Sequence, residues 1–167
     1  KFLKSPATEQ KKIQEEYEEI IRRIAERSYL PANRALLEMI KDSDKNFKVA
    51  FSISGVALEQ LEMYVPEFID SMRELVKTGC VEFLSETYAH SLASLTDPEE
   101  FVSQVKAHDD KIEMLFGQRP KVLRNTELIY CDDLAPQILS MGYKGVITEG
   151  GVVDNVLVNA TIKNKSG

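Results

Sequence analysis

The fold is constrained most by a regular alternation between short apolar segments and longer amphipathic ones. Four short segments, rich in β-branched or aromatic residues, have the composition of buried strands. They are residues 47–54, 80–86, 121–123 and 144–149. Helical patterns separate them, and strands that alternate with helices predict an α/β fold with parallel strands and right-handed crossovers. This pattern fits either an open doubly wound sheet or an arc of a barrel, because a complete barrel of about eight strands is longer.

Helices are predicted before and between the first two strands. Apolar residues recur every three or four positions over 8–27, and a second helix should begin near Pro31, since proline fits a first helical position. Pro66 cannot lie inside a helix without a kink, so it should separate a helix over 57–64 from one over 66–77.

The later helices have clear terminal signals. Thr96-Asp-Pro-Glu99 predicts a capping box with proline in the first turn, and Gly117 predicts a left-handed end. A shorter helix is predicted from about Asp133 to Met141. The segment 152–163 alternates loosely and is predicted to be strand-like, but residues 151–167 carry no motif.

Composition narrows the class of protein. A chain of 167 residues with 43% hydrophobic residues predicts one globular domain over 1–167. The net charge of -6 argues against nucleic acid or an anionic membrane as a partner. No stretch is apolar enough for a membrane span or a signal peptide, which predicts a soluble, cytoplasmic protein.

Several kinds of site are disfavoured by what the sequence lacks. Cys80 and Cys131 belong to no metal-binding pattern, so we expect ordinary buried thiols, no disulfide framework and no metal. No glycine-rich phosphate loop or G-x-S-x-G elbow is present, which disfavours nucleotide binding and serine hydrolysis. We therefore expect no cofactor.

Acidic residues follow three of the predicted strands. Glu86, Glu127 and Glu149 occupy these ends, and Glu82 lies one pleat deeper than Glu86. The carboxyl ends of parallel strands face the crevice in which ligands bind, and two carboxylates at one rim could form a glycosidase pair. Each acid could instead cap the next helix or pair with a cation. Glu127 is the first candidate.

Neighbouring polar residues could support such a site. His90, in a turn after the second strand, could bind a sugar hydroxyl or orient an acid, or only stabilise the turn. Arg124 and Asn125 could lower the pKa of Glu127 or hold it in position, or simply pack. His108 falls inside a predicted helix and is expected to be an ordinary surface or half-buried residue.

Five segments that follow one another between about Tyr29 and Gly150 resemble family 57 glycoside hydrolases, particularly the bacterial α-amylase-like branch. The segments are Tyr29–Asn33, Phe51–Gln60, Gly79–Ser91, Phe116–Pro120 and Asn125–Tyr130. The resemblance implies a (β/α)7-type barrel, incomplete in this chain, and retaining cleavage or transfer of α-glucan or maltooligosaccharide linkages. It also implies no obligatory metal.

The resemblance assigns roles to single residues. Glu127 matches the catalytic nucleophile, Glu82 the acid of a G-x-x-E motif, and His90 a histidine that lines the donor subsite. With Glu127 as the catalytic residue, the predicted substrate-binding residues are Glu82, Glu86, His90, Arg124 and Asn125. Two features of the family are missing: a His-Gln-Pro motif and the aspartate that acts as general acid/base on a later strand. We therefore expect a partial catalytic barrel domain with half of a catalytic site. Unpaired strand edges in such a piece should favour self-association.

Two other functions stay open. A polysaccharide deacetylase would fit His90-Ser-Leu-Ala-Ser94, which echoes an H-S/T-x-x-H metal motif with Ser94 in place of the second histidine. The Asp-Asp pair of such enzymes is missing from 47–55. The second alternative is a noncatalytic glucan-binding or structural fragment.

Overall fold

The structure, a computed structural model, describes residues 7–149 in two compact units. The helical unit contains the residues up to Lys48 together with Ala57–Cys80. The sheet unit contains Val49–Val56 and the residues from Val81 onward. The segment 152–163, predicted to be strand-like, lies outside the described residues.

The helical unit is built from four helices. They are α1 (Ala7–Ile24), α2 (Leu30–Asp42), α3 (Gly55–Tyr64, whose first two residues belong to the sheet unit) and α4 (Pro66–Lys77). The predicted break at Pro66 is confirmed, with Val65 between α3 and α4. On α4, Phe68, Ile69, Met72 and Leu75 are buried.

The prediction that a second helix begins near Pro31 is confirmed, since α2 begins at Leu30, but no loop separates it from α1. The backbone stays helical from α1 to α2 through one π-helical turn, Ala25–Tyr29, in which the Leu30 N–H bonds to the Ala25 carbonyl. Proline lacks an N–H, and its ring clashes with the carbonyl four residues earlier. A single wider turn can accommodate that ring without ending the helix.

The described part of the sheet unit contains four parallel strands, of which all but the third are shorter than predicted. They are β1 (Val49–Phe51), β2 (Val81–Phe83), β3 (Val122–Arg124) and β4 (Gly145–Ile147). β1 pairs with β2 and β3 with β4, while a bridge between Ser85 and Leu123 joins the two pairs.

The strands therefore lie in the same order as in the sequence. A doubly wound sheet reverses direction at a switch point, whereas a barrel adds each strand beside the previous one. Of the two sheets left open by the sequence, the observed order is that of a barrel arc. The predicted α/β fold with parallel strands is confirmed.

Three helices accompany these strands: α5 (Ala93–Thr96), α6 (Pro98–Phe116) and α7 (Ala135–Ser140). The predicted capping box on α6 is corrected, because Asp97 caps the helix by accepting bonds from the Glu99 and Glu100 N–H groups. Gly117 ends it with a φ of 67°, as predicted.

The core of the sheet unit is apolar and places the carboxyl ends of the strands at one edge. Its buried members include Phe101 and Val105 of α6, Leu123 of β3 and Ile138 of α7. In the part of the chain that the structure describes, no helix is both long and apolar enough to cross a membrane.

Candidate active site

Four side chains from three strand ends form a hydrogen-bonded chain at the rim of the sheet unit. Ser52, just after β1, donates from Oγ to Glu86 Oε1 at 2.6 Å. The other oxygen of Glu86 lies 3.3 Å from His90 Nδ1. His90 Nε2 in turn lies 3.2 Å from Glu127 Oε1. We call Ser52, Glu86, His90 and Glu127 the rim chain.

The two carboxylates of the rim chain differ strongly in exposure. The side chain of Glu86 is 3% exposed, whereas that of Glu127 is 72% exposed. His90, between them, is 41% exposed. Glu86 is thus an internal support of the chain, and Glu127 is the end that solvent or a ligand can reach.

Glu127 stands in a backbone conformation that non-glycine residues rarely adopt. Its φ is 54° and that of Leu128 is 58°, and His90 opposite has a φ of 52°. Each such residue costs roughly 1 kcal/mol or more, and strain of this kind concentrates at functional sites. The turn therefore needs support from its surroundings.

That support comes from buried polar side chains beneath the turn. Asn125, 1% exposed, donates from Nδ2 to Ser94 Oγ at 2.8 Å and to the Ile129 carbonyl at 3.0 Å. The hydroxyls of Thr126 and Thr87 lie 2.8 Å apart. These bonds fix the backbone on both sides of Glu127.

The two carboxylates raise the pKa of His90 above its ordinary value of 6.5, chiefly through the hydrogen bond to Glu127 and then the one to Glu86. Partial burial acts in the opposite direction and is outweighed. His90 therefore favours its charged form between two acids. The charged ring is then an electrostatic partner that positions both carboxylates.

The sequence profile of Glycosyl hydrolase family 57 matches residues 2–166. The chain belongs to glycosyl hydrolase family 57. A Methanocaldococcus jannaschii protein provisionally named an alpha-amylase is 41% identical over 133 residues, which cover 79% of this chain and 28% of that protein. An alpha-amylase of Pyrococcus horikoshii is 31% identical over 126 residues, which cover 75% of this chain and 20% of the relative.

Solved structures share the fold. The 4-alpha-glucanotransferase of Thermococcus litoralis superimposes with a TM-score of 0.69 at 23% identity, over 79% of this chain and 20% of that one. A CE4 family pseudoenzyme from Bacillus anthracis gives a TM-score of 0.51 at 18% identity, over 69% of this chain and 38% of that one. This family 57 chain thus spans less than a third of the length of its two named relatives.

The structure joins some of the predicted site residues of this family 57 chain and leaves others apart. Glu86, His90 and Glu127 belong to the rim chain, and Asn125 lies beneath it. Within residues 7–149, no hydrogen bond or ion pair joins Glu82 or Arg124 to these groups.

Individual placements explain this separation. Glu82 is exposed in β2 opposite Ala50, while Leu84 and Glu86, predicted on the same face, are buried. Arg124 is half-buried at the end of β3, and Glu149 is exposed beyond β4. Arg124 therefore does not pair with Glu127 in this structure.

Several supporting residues carried no usable signal in the sequence. Ser52, Thr87 and Thr126 are ordinary hydroxyl residues whose partners lie 34 to 39 positions away. Ser94, weighed as a substituted metal ligand, accepts the bond from Asn125 instead. Among the described residues, no cluster of three or more His, Cys, Asp or Glu side chains could hold a metal ion.

A second polar network lies inside the sheet unit. Ser85 Oγ and Tyr143 Oη each donate to Asp109 at 2.6 Å and lie 2.8 Å from each other. Burial, and then the bond to Asp109, raises the pKa of Tyr143. His108 was expected at or near the surface, but it is fully buried with Nε2 2.9 Å from the Ile53 carbonyl. Both cysteines were expected to be buried, and this is wrong for Cys131, which is exposed.

Proposed function

We propose that this chain is part of a retaining glycoside hydrolase that acts on α-glucans, of the α-amylase or 4-α-glucanotransferase type, with Glu127 as its nucleophile. Membership of family 57 supports the proposal, as do the names of its relatives. The described residues would then form part of one catalytic barrel domain, with a family-like core over about 29–150.

One observation carries the assignment to Glu127. Its carboxylate follows β3 on a strained turn, with Oε1 held by His90 and most of the side chain accessible. No described residue holds Oε2, which leaves that oxygen for attack. A nucleophile has to be positioned and reachable, and Glu127 combines these two properties.

The reaction would proceed in two displacements. Oε2 of Glu127 attacks the anomeric carbon, and the bond from that carbon to the leaving oxygen breaks with its electron pair. Water or a second sugar hydroxyl then attacks the anomeric carbon of the glycosyl ester and gives its proton to the group that protonated the leaving oxygen. The bond to Oε2 breaks, which restores the carboxylate. Glu82 and Arg124 are proposed to bind sugar hydroxyls, and His90 is proposed to line the donor subsite beside Glu127. The remaining predicted site residues, Glu86 and Asn125, support the turn.

A general acid for the leaving group has to come from elsewhere. Glu86, the acid that shares His90 with Glu127, is buried and bonded at both oxygens, so it is poorly placed to protonate a sugar. We propose that the family's aspartate, outside the described residues, has this role. General acid catalysis contributes about 10²- to 10⁴-fold, so unactivated glucans should react poorly with this chain alone.

An activated donor therefore tests the proposal. Fluoride needs no proton to leave, so α-glucosyl or α-maltosyl fluoride should release fluoride when mixed with the 167-residue chain. We expect Glu127→Gln to abolish the release, while Glu149→Gln, an acid at another strand end with the same charge change, retains it. A folded chain that binds maltooligosaccharides but releases no fluoride would contradict the enzyme and support a noncatalytic module.

We also propose that the chain self-associates. β1 and β4 are the outer members of the four described strands, and Tyr17, Ile20 and Ile24 of α1 are 40% to 54% exposed. Unpaired edges and exposed apolar faces favour association. Sedimentation velocity should show a concentration-dependent increase in mass, and a monomer at every concentration would contradict this.

A further inference from the structure

We propose that Glu86 is a positioning residue, which with Ser52 holds His90 as a protonated tether for Glu127, and that this tether is released when His90 loses its proton. The inference rests on the proposed role of Glu127 and adds a regulatory element to it. It also changes the role of Glu86, which the sequence placed among the sugar ligands.

The first step concerns the ring nitrogens of His90. Nδ1 faces a carboxylate oxygen of Glu86 at 3.3 Å, and Nε2 faces one of Glu127 at 3.2 Å. Ionised carboxylates only accept hydrogen bonds, and a neutral imidazole has a single N–H. With both acids ionised, both contacts are hydrogen bonds only while His90 is an imidazolium.

The second step asks which contact survives deprotonation. Glu86 is 3% exposed and already accepts the Ser52 hydroxyl at its other oxygen. An unpaired buried carboxylate oxygen is costly, whereas Glu127, 72% exposed, can be hydrated by solvent. The remaining proton therefore stays on Nδ1, and the Nε2 lone pair then faces Glu127 Oε1 and repels it.

The surrounding charges agree with this arrangement. Within the described residues, the charged groups that act on His90 are Glu86 on its own loop and Glu127 from the turn after β3. Both raise the pKa of His90, and the opposing effect of burial is smaller. The tether is thus closed below the raised pKa of His90 and opens as the pH rises through that pKa.

Opening has a consequence for chemistry. The tether fixes one oxygen of Glu127 so that the other points in a defined direction, and orientation of this kind contributes strongly to rate. We therefore expect the rate of glycosyl transfer to fall at alkaline pH because His90 loses its proton. The pH at which the rate falls should depend on Glu86.

The tether can be measured without any substrate. The chain has two histidines, so imidazole ¹⁵N NMR spectra resolve them, and His90→Gln assigns the signals. We expect the His90 midpoint to lie above 6.5, with the neutral form protonated at Nδ1. Glu86→Gln and Glu127→Gln should each lower the midpoint, and Glu149→Gln should leave it nearly unchanged.

Clear results would overturn the inference. A His90 midpoint at the ordinary value that neither Glu86→Gln nor Glu127→Gln moves would contradict the tether, as would a neutral form protonated at Nε2. Should Glu86→Gln fail to fold, the exposed Glu127→Gln variant and the milder Ser52→Ala variant still decide the question. Ser52→Ala should leave the Nδ1 tautomer intact and alter the midpoint less than Glu86→Gln.

A second readout separates positioning from a merely structural role. The alkaline limb of fluoride release should move to lower pH in Glu86→Gln, whereas simple structural damage would lower the rate at every pH without moving the limb. If the NMR titration behaves as predicted but no fluoride is released, the tether is supported and the proposed glycosidase activity is contradicted. If fluoride is released, but the alkaline limb does not move in Glu86→Gln and His90 titrates with an ordinary midpoint, the activity is supported and the tether is contradicted.

Discussion

Ser85 and Glu86 are neighbours in the sequence, yet they belong to two polar networks with different designs. Ser85 and Tyr143 lie with Asp109 in a buried triangle of polar side chains, in which both hydroxyls donate to the carboxylate. Glu86 joins Ser52 and His90 in the rim chain, whose last member is exposed. Successive residues of a strand point to opposite faces, so one step along the chain separates the two networks.

The comparison shows how burial divides stability from chemistry. In the triangle every described oxygen has a partner inside the sheet unit, so removing one member leaves others unsatisfied in the core. In the rim chain Glu86 is buried, but Glu127 is exposed. One carboxylate oxygen of Glu127 is therefore accessible to a ligand. The first network should therefore affect unfolding, and the second should affect rate.

The largest expected effect is on rate. Glu127→Gln should lower fluoride release by at least about 10³-fold, because it removes the attacking group. The free energy of unfolding should change by no more than about 0.5 kcal/mol, since the side chain is exposed. Assays of fluoride release measure the rate, and urea titrations measure the free energy of unfolding. If Glu127→Gln lowers the stability in proportion to the rate, the division between the two networks is contradicted.

The next effect is on stability. Asp109→Ala should lower the free energy of unfolding by roughly 2 to 4 kcal/mol, since the Ser85 and Tyr143 hydroxyls lose their shared acceptor. Asp110→Ala is the matched control, because Asp110 is the exposed neighbour and pairs with Arg119 at the surface. That variant should cost less than about 1 kcal/mol. Similar losses in the two variants would contradict the role of the triangle.

A smaller effect is expected beneath the loop that carries His90. A methyl group at Gly55 would collide with the ring of Tyr88, whose carbonyl accepts the Val56 N–H at 3.2 Å. Gly55→Ala should therefore cost about 1 to 3 kcal/mol in unfolding free energy. It should also change the chemical shifts of His90, which would show that the packing of Tyr88 against Gly55 affects the rim chain.

The control for that variant is Gly145→Ala in β4. An added methyl group there meets no atom within 4 Å, and no positive φ is required. Its unfolding free energy should change by less than about 0.5 kcal/mol. If Gly55→Ala proves equally mild, the packing of Tyr88 against Gly55 does not support the loop.

The smallest effect concerns pH. The pKa of His90 is raised in the folded chain, so its contribution to stability is present below the unfolded pKa of 6.5 and is lost as pH rises through the folded pKa. His90→Gln should thus lower the free energy of unfolding more at about pH 5.5 than at about pH 8.5. The difference should be less than about 1 kcal/mol, because His90 and Glu127 are both exposed to solvent. Urea titrations at the two pH values measure this difference. A larger loss at the higher pH would reverse the predicted sign.

Sequence patterns predicted the features that depend on local chemistry. The alternation of strands and helices, the break at Pro66 and the left-handed Gly117 follow from backbone restrictions that single residues impose. The π-helical turn before Pro31 could not be predicted, because a helix can end at proline or widen before it. Local pattern does not decide between these outcomes.

The sequence offered four candidate acids, of which Glu86 and Glu127 lie in the rim chain, and it offered Asn125 as a support but none of the supporting hydroxyl residues. Glu127, Glu86 and His90 could be named from their positions at strand ends and from the family resemblance. The hydroxyl pair of Thr87 and Thr126 depends on residues 39 positions apart, which no periodicity reveals. The positive φ of Glu127 could not be foreseen either, since nothing marks a glutamate for that conformation.

The most direct test of the central claim is to trap the sugar on Glu127. The chain is incubated with a 2-deoxy-2-fluoro-α-glucosyl donor that carries a good leaving group, then digested and analysed by tandem mass spectrometry. We expect one added glycosyl unit on the peptide that contains Glu127, and none in Glu127→Gln. A folded chain that forms no adduct, or forms it on a different residue, would contradict the account.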